Sequence, residues 1–352
     1  MHKHLFAAAM VAGTSAAAAD VDDRLTDTEK RIHYLENRIA NQEQTMLEKE
    51  AAGFRIRGLI EIEAMSGDGD SDISLATAEL GIYGRVNDMI EGELTFLYEG
   101  ETTDVDVAAI HIAPSGSHWS SSIGQIYVPF GAFETNMISD PLTLELGETR
   151  ESAVRVNFQS DGLLASAYLF NGSNKQHGGA DDRIDNFGLS LAYAAEGFVI
   201  GYGYINDIGD SDNLQDAINA NLGSNDIQAH VPGHTLNARF EFGAFDVIAE
   251  YLAAGDHFEV TELPFSGTGA KPSAMNIEAG YTFELAGKAA TFAVGAQRSR
   301  EAEVLELPKS RVMSALSVAI AKNTTLAFEY ARDEDYAGEK SNTLTAQLAV
   351  EF

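Results

Sequence analysis

From residue 54 onward apolar and charged residues alternate with a period of two, as in Phe54-Arg55-Ile56-Arg57-Gly58-Leu59-Ile60-Glu61-Ile62-Glu63. That period marks a strand with one apolar and one polar face. Sixteen such segments follow one another, near 54–64, 73–86, 89–99, 103–113, 119–129, 149–159, 162–172, 182–194, 197–207, 232–243, 244–256, 272–284, 288–299, 309–321, 324–334 and 341–352. Strands in soluble proteins average about five or six residues. Most of these segments are about twice that, the length a tilted membrane strand needs (about 9–11 residues).

The connections sort by parity. After even-numbered segments they are short: Asn87-Asp88, 114–118, Ser160-Asp161, Ala195-Glu196, Gly243, 285–287 and Lys322-Asn323. After odd-numbered segments they are mostly longer, up to the stretch 207–231. An even strand count with short turns at one end and long loops at the other is the pattern of bacterial outer-membrane barrels. A soluble sandwich has no reason to sort its loops this way.

The two faces follow from position. In the tenth segment Leu236, Ala238, Phe240 and Phe242 point to lipid, and Asn237, Arg239 and Glu241 inward. The twelfth sets Met275, Ile277, Ala279, Tyr281 and Phe283 against Asn276, Glu278, Thr282 and Glu284, and the last aligns Leu344, Ala346, Leu348, Val350 and Phe352. Tyr83, Tyr98, Tyr193, Tyr204, Tyr251 and Tyr330, near segment ends, are expected in the interfacial aromatic girdles. The inner face carries charge in nearly every strand, so the interior is expected to be wet.

The N-terminus has a different pattern. Met1-His2-Lys3-His4, the apolar run Leu5 to Ala12 and the small residues Ala16 to Ala19 read as a signal peptide over 1–19, cleaved before Asp20. Over 20–50 the apolar period becomes three to four. Val21, Leu25, Thr28, Ile32, Leu35, Ile39, Gln42 and Met46 form a narrow heptad seam, the signature of a periplasmic coiled-coil helix. A coiled coil implies an oligomer. The seam does not decide between two and three strands, and a homotrimer is expected by analogy with barrel porins. Residues 53–352 form the barrel.

Composition narrows the function. The 352 residues include no Cys, which excludes disulfides and thiolate metal sites. The net charge of −31 argues against a nucleic-acid partner. No stretch reaches the about 18 apolar residues of a membrane helix. Asp68-Gly69-Asp70-Ser71-Asp72 has carboxylates at calcium-loop spacing, with Glu79 at the twelfth position, but Ile73 stands where an EF-hand requires Gly. It is read as a solvated outer loop in contact with lipopolysaccharide. His230 and His234 flank Pro232-Gly233, which breaks any helix that would pair them, so no metal or cofactor is expected. No Gly-x-Ser-x-Gly elbow or assignable Ser–His pair is present, and no enzyme is expected.

The connection 129–148 is too long for a hairpin and unusually apolar for an exposed loop. It is the third long outer loop and is expected to fold into the barrel as a constriction. Its Glu134, Asp140, Glu145 and Glu148 would then oppose the lumen cations Arg55, Arg57, Arg155 and Arg239. The run Tyr127-Val128-Pro129-Phe130-Gly131, with the continuation Thr135 to Glu148, resembles the signature of the LbtU family of siderophore porins, named for a legiobactin receptor. That resemblance implies a sixteen-stranded porin with a periplasmic coiled coil, passing a ferric siderophore without TonB. A second reading rests on charge. Inward acids Glu61, Glu63, Glu79, Glu91, Glu93, Glu241, Glu250, Glu278 and Glu329 outnumber inward Arg, which favours a cation-leaning general diffusion porin whose coiled coil tethers the envelope. In the longest outer loop, 211–222 is expected to be a helix with Leu214, Ala217, Ile218 and Leu222 on one face, capped by Ser211 or Asp212.

Overall fold

The computed structural model describes residues 54–100, 102–176 and 183–352. The expected signal peptide and coiled-coil seam lie outside the described residues. Sixteen strands form one closed antiparallel barrel: β1 (Phe54–Gly67), β2 (Asp70–Arg85), β3 (Ile90–Tyr98), β4 (Thr103–Ile112), β5 (Trp119–Tyr127), β6 (Arg150–Ser160), β7 (Leu163–Phe170), β8 (Asn186–Ala195), β9 (Phe198–Ile205), β10 (Gly233–Phe242), β11 (Phe245–Ala254), β12 (Ser273–Leu285), β13 (Lys288–Arg300), β14 (Ser310–Ala321), β15 (Thr324–Glu334) and β16 (Lys340–Glu351). Every expected strand is present, with ends moved by a few residues. β1 closes on β16 with Leu59 opposite Glu351 and Gly67 opposite Thr343. Reciprocal backbone bonds between Gly58 and Phe352 finish the seam. Closure leaves no edge strand.

The alternation sorts side chains as read from the sequence. Leu236, Phe240, Phe242, Ile277, Tyr281, Leu344 and Leu348 are exposed on the outside, whereas Asn276, Glu278, Glu250 and Glu329 are buried on the inside. Tyr83 corrects the expected girdle: it is 6% exposed and shares the inner face with Glu79, between Arg55 and Arg57. Tyr193, Tyr251 and Tyr330 are exposed outward as expected.

The acidic run after β1 is also corrected. Asp70, Ser71 and Asp72 pair with Gly67, Ser66 and Met65 in the ladder, leaving Asp68 and Gly69 as a tight turn at positive φ. Its carboxylates therefore lie along a strand and do not ring a loop. Among the described residues, no group of three His, Asp or Glu is placed to hold a metal ion.

The outer loops carry the second layer of structure. Short helices α1 (Leu142–Gly147) and α2 (Asp212–Leu222) belong to the third and fifth of them. Leu144, Leu146, Leu214, Ile218, Phe258 and Leu263 pack into one apolar cluster with inner-wall Phe170, Ile205 and Leu252. Helix α2 is therefore a structural part of this loop core. Its expected cap is absent: the Ser211 hydroxyl donates to the Leu146 carbonyl, and the Asp212 carboxylate accepts from the Arg150 amide. Gly223, at positive φ, ends the helix in the left-handed conformation that favours glycine.

Candidate pore constriction

The chain leaves β5 at Tyr127 and reaches β6 at Arg150 through a segment in which most residues are buried. A buried loop must satisfy its own backbone, and here the barrel wall does so. Thr235 of β10 donates to the Phe130 carbonyl at 2.5 Å. Glu250 of β11 accepts from the amides of Ala132 and Phe133, at 2.5 and 2.8 Å, and from the Thr143 hydroxyl at 2.9 Å. Glu278 of β12 accepts from Asn136 N and Thr135 Oγ1, both at 2.7 Å. Glu329 of β15 takes the Ile138 amide at 2.6 Å and both the amide and hydroxyl of Ser139. The return path bonds Leu142 N to Gln297 of β13 and then enters α1.

The segment thus runs from the β10 wall to β15 and back, tied by carboxylates that each receive two or three donors. Bonds of this charge-assisted kind are about twice as strong as neutral ones. Phe133 sits at a φ of 53°, a strained conformation for a bulky residue, held by the Glu250 pair on its own amide and that of Ala132.

The candidate residues divide. Glu134 and Arg239 meet at 3.2 Å, and Arg239 also bonds Glu241 at 3.0 Å and lies 3.8 Å from Asp246. Glu145 accepts from Asn213 of α2. Asp140 and Glu148 are buried within the loop core, and burial together with the neighbouring Asp212 and Asp140 pushes the Glu148 carboxyl well above the usual range. Arg55 pairs with Glu91 at 2.7 Å, and Arg57 stacks over the Tyr83 ring. Arg155 donates to Ser122. Of the expected loop-to-wall pairings, the structure brings together Glu134 and Arg239.

Three findings were missed in the sequence. Glu250, Glu278 and Glu329, counted there as lumen lining, are anchors for the loop, so the cation-favouring tally shrinks to the acids of β1–β3 and β10. Those on β1–β3 have partners too: Glu63 accepts from Gln347 and Glu93 contacts His111. The third is a Ser–His–acid chain. His111 bridges Glu93 at 2.8 Å and Ser122 at 3.0 Å across β3, β4 and β5. That order of residues is nucleophile-like. Ser122, however, is fully buried and its oxygen accepts from Arg155, so the chain reads as a wall-stiffening ladder.

A closed sixteen-stranded barrel with an inner-wall loop defines the porin architecture. The chain is similar to an anion-selective porin from Comamonas acidovorans (TM-score 0.59, 12% identity, covering 86% of this chain and 100% of that one). It is likewise similar to the trimer form of OmpT from Vibrio cholerae (TM-score 0.55, 13% identity, 86% and 100%). In sequence it is 28% identical over 326 residues to a UPF0422 protein of Coxiella burnetii, covering 82% of this chain and 68% of that protein. It is 25% identical over 336 residues to a UPF0422 protein of Legionella pneumophila strain Philadelphia 1, covering 80% of this chain and 62% of that protein. The chain therefore spans about two thirds of the length of these relatives. No family model matches it.

Proposed function

We propose that this chain is an outer-membrane porin of a Gram-negative cell, a water-filled channel for passive or facilitated uptake of small solutes, narrowed by residues 129–148. The observation that carries the reading is the loop fastened to inner-wall carboxylates Glu250, Glu278 and Glu329. A covering flap would not need anchors on five strands, β10, β11, β12, β13 and β15, on the inside of a barrel. The apolar loop core fills the side of the lumen it touches. The conducting path is assigned to the remaining polar wall, where Arg55 pairs with Glu91 and Arg57 lies over Tyr83, with the Arg239–Glu134 pair at the loop's edge. The apolar outward face favours lipid as its surroundings. The trimer form of a neighbouring barrel supports a homotrimer, with 20–50 as its periplasmic coiled coil behind the signal peptide 1–19.

The finer reading is TonB-independent passage of a ferric siderophore. The motif Tyr127 to Glu148 supports it, as do the Arg residues on the polar wall, which suit an anionic chelate. Reversal potentials under a salt gradient in a planar bilayer, followed by addition of ferric siderophores, separate the readings. Ion conductance with siderophore block supports siderophore passage. Clear cation preference without block leaves a general diffusion porin, and absence of conductance in folded protein overturns the channel itself.

A further inference from the structure

The chain carries a net charge of −31, yet three exposed arginines project from the outside of the barrel at one rim. Arg298 and Arg300 lie on β13 in the same phase as Phe292 and Val294, and Arg332 lies on β15 in phase with Phe328 and Tyr330. Those four apolar residues are all exposed on the outer face, so the arginines share it. They sit at the end bearing the long loops. Arg298 is opposite Ser310, and Arg332 is opposite Val312, the next outward residue of β14. With strands about 4.8 Å apart and about 3.4 Å per residue, their Cα atoms lie about 12 Å apart. Two extended guanidinium groups span that distance around one headgroup.

None of the three has an ion pair or side-chain hydrogen bond among the described residues. Three acids close to them in the chain are engaged elsewhere: Asp333 by Arg311 at 2.9 Å, Glu334 by Lys340 at 3.3 Å, and Glu301 by the Lys271 amide at 2.7 Å. An arginine on a lipid-facing wall is costly toward the hydrocarbon and inexpensive at the interface. Three unpaired ones at that height, beside the exposed Tyr330, mark the level of the lipid headgroups. The guanidinium fork suits phosphate oxygens bidentately.

We propose that Arg298, Arg300 and Arg332 form a binding site for a phosphorylated lipid headgroup of the outer leaflet. The site rests on the outer-membrane reading only in taking the long-loop end as the cell exterior. It needs no conductance, so failure of the pore reading leaves it standing. Binding of the folded full chain in detergent to lipid A is compared with binding to dephosphorylated lipid A and to inorganic phosphate. The wild type is expected to prefer lipid A, and R298Q/R332Q to bind it at least about tenfold more weakly. The charge-matched K288Q/K322Q, changed at the opposite end, is expected to bind as the wild type does. R298K/R332K, which keeps charge but not the fork and folds if the position tolerates a cation, is expected to fall between. Equal loss in both glutamine variants, or binding indifferent to lipid phosphorylation, overturns the site. Competition by millimolar inorganic phosphate as effective as lipid A makes it a soluble-anion site and overturns the lipid assignment.

Discussion

Glu250 receives the amides of Ala132 and Phe133 and the hydroxyl of Thr143, so one side chain fixes both the outgoing and returning arms of the inner loop. A hydrogen bond to a charged group is worth about 1.5–3 kcal/mol, and a buried donor left unsatisfied costs about as much again. Glu250→Ala is expected to cost loop anchoring about 3–5 kcal/mol while the ladder, which involves only backbone, stays intact. Single-channel recordings should then show larger and noisier openings than the wild type, with unchanged heat resistance of the barrel. Conductance identical to the wild type would place the loop outside the permeation path. Glu329→Ala, which frees the far turn at Ile138 and Ser139, should act the same way.

The elements were legible from the sequence because a strand with one wet and one apolar face repeats every two residues. All sixteen were therefore visible, as was the helix carrying Leu214 and Ile218. What the period does not encode was missed. Register slips at Glu61/Ile62 and Thr95/Phe96 insert extra residues. Tyr83 was assigned by its nearness to a strand end, although its phase with Glu79 already pointed inward. The anchoring acids looked like pore lining because their partners are main-chain amides, which no residue letter marks. Close approach of backbone is likewise readable only in three dimensions. At Gly203 of β9 a Cβ would stand 2.1 Å from the Phe130 carbonyl and 2.6 Å from Thr235 Oγ1. Gly203→Ala should displace the loop at its first anchor, with about 1–3 kcal/mol of overpacking. Gly92→Ala on β3, whose nearest obstacle is 4.0 Å away, should be tolerated. Thermal unfolding and bilayer conductance of the two variants check the contrast. Equal behaviour would mean that β9 does not position the loop.

At the scale of the whole molecule the described residues form two layers, a barrel closed by backbone ladders and a loop core inside its outer end. The barrel's strands are joined by backbone hydrogen bonds, whereas the loop core holds several buried carboxyls. Burial pushes Asp212 up from 3.8 to about 6, despite the Arg150 amide it accepts from. Burial and the neighbouring Asp210 raise Asp207, burial and Asp185 raise Asp210, and Glu148 moves the same way. A carboxyl with a raised folded pKa binds its proton more tightly folded than unfolded. Its stabilisation is complete below about pH 4 and is lost as pH rises through about 6. His230, lowered by burial, acts in the opposite sense below its ordinary value, as one group against four. The loop core should therefore resist opening better at pH 4.5 than at pH 7.5. Asp212→Asn removes one ionisable contribution of up to about 3 kcal/mol at about 1.4 kcal/mol per pH unit. Hydrogen exchange of the α1 and α2 amides, with intrinsic rates corrected for pH, should show slower opening in acid for the wild type and a flatter dependence for the variant. Protection that rises toward pH 7.5, or an unchanged slope in Asp212→Asn, would mean that these carboxyls are ionised without cost inside the core. A polar environment would then have to reach them from the barrel interior.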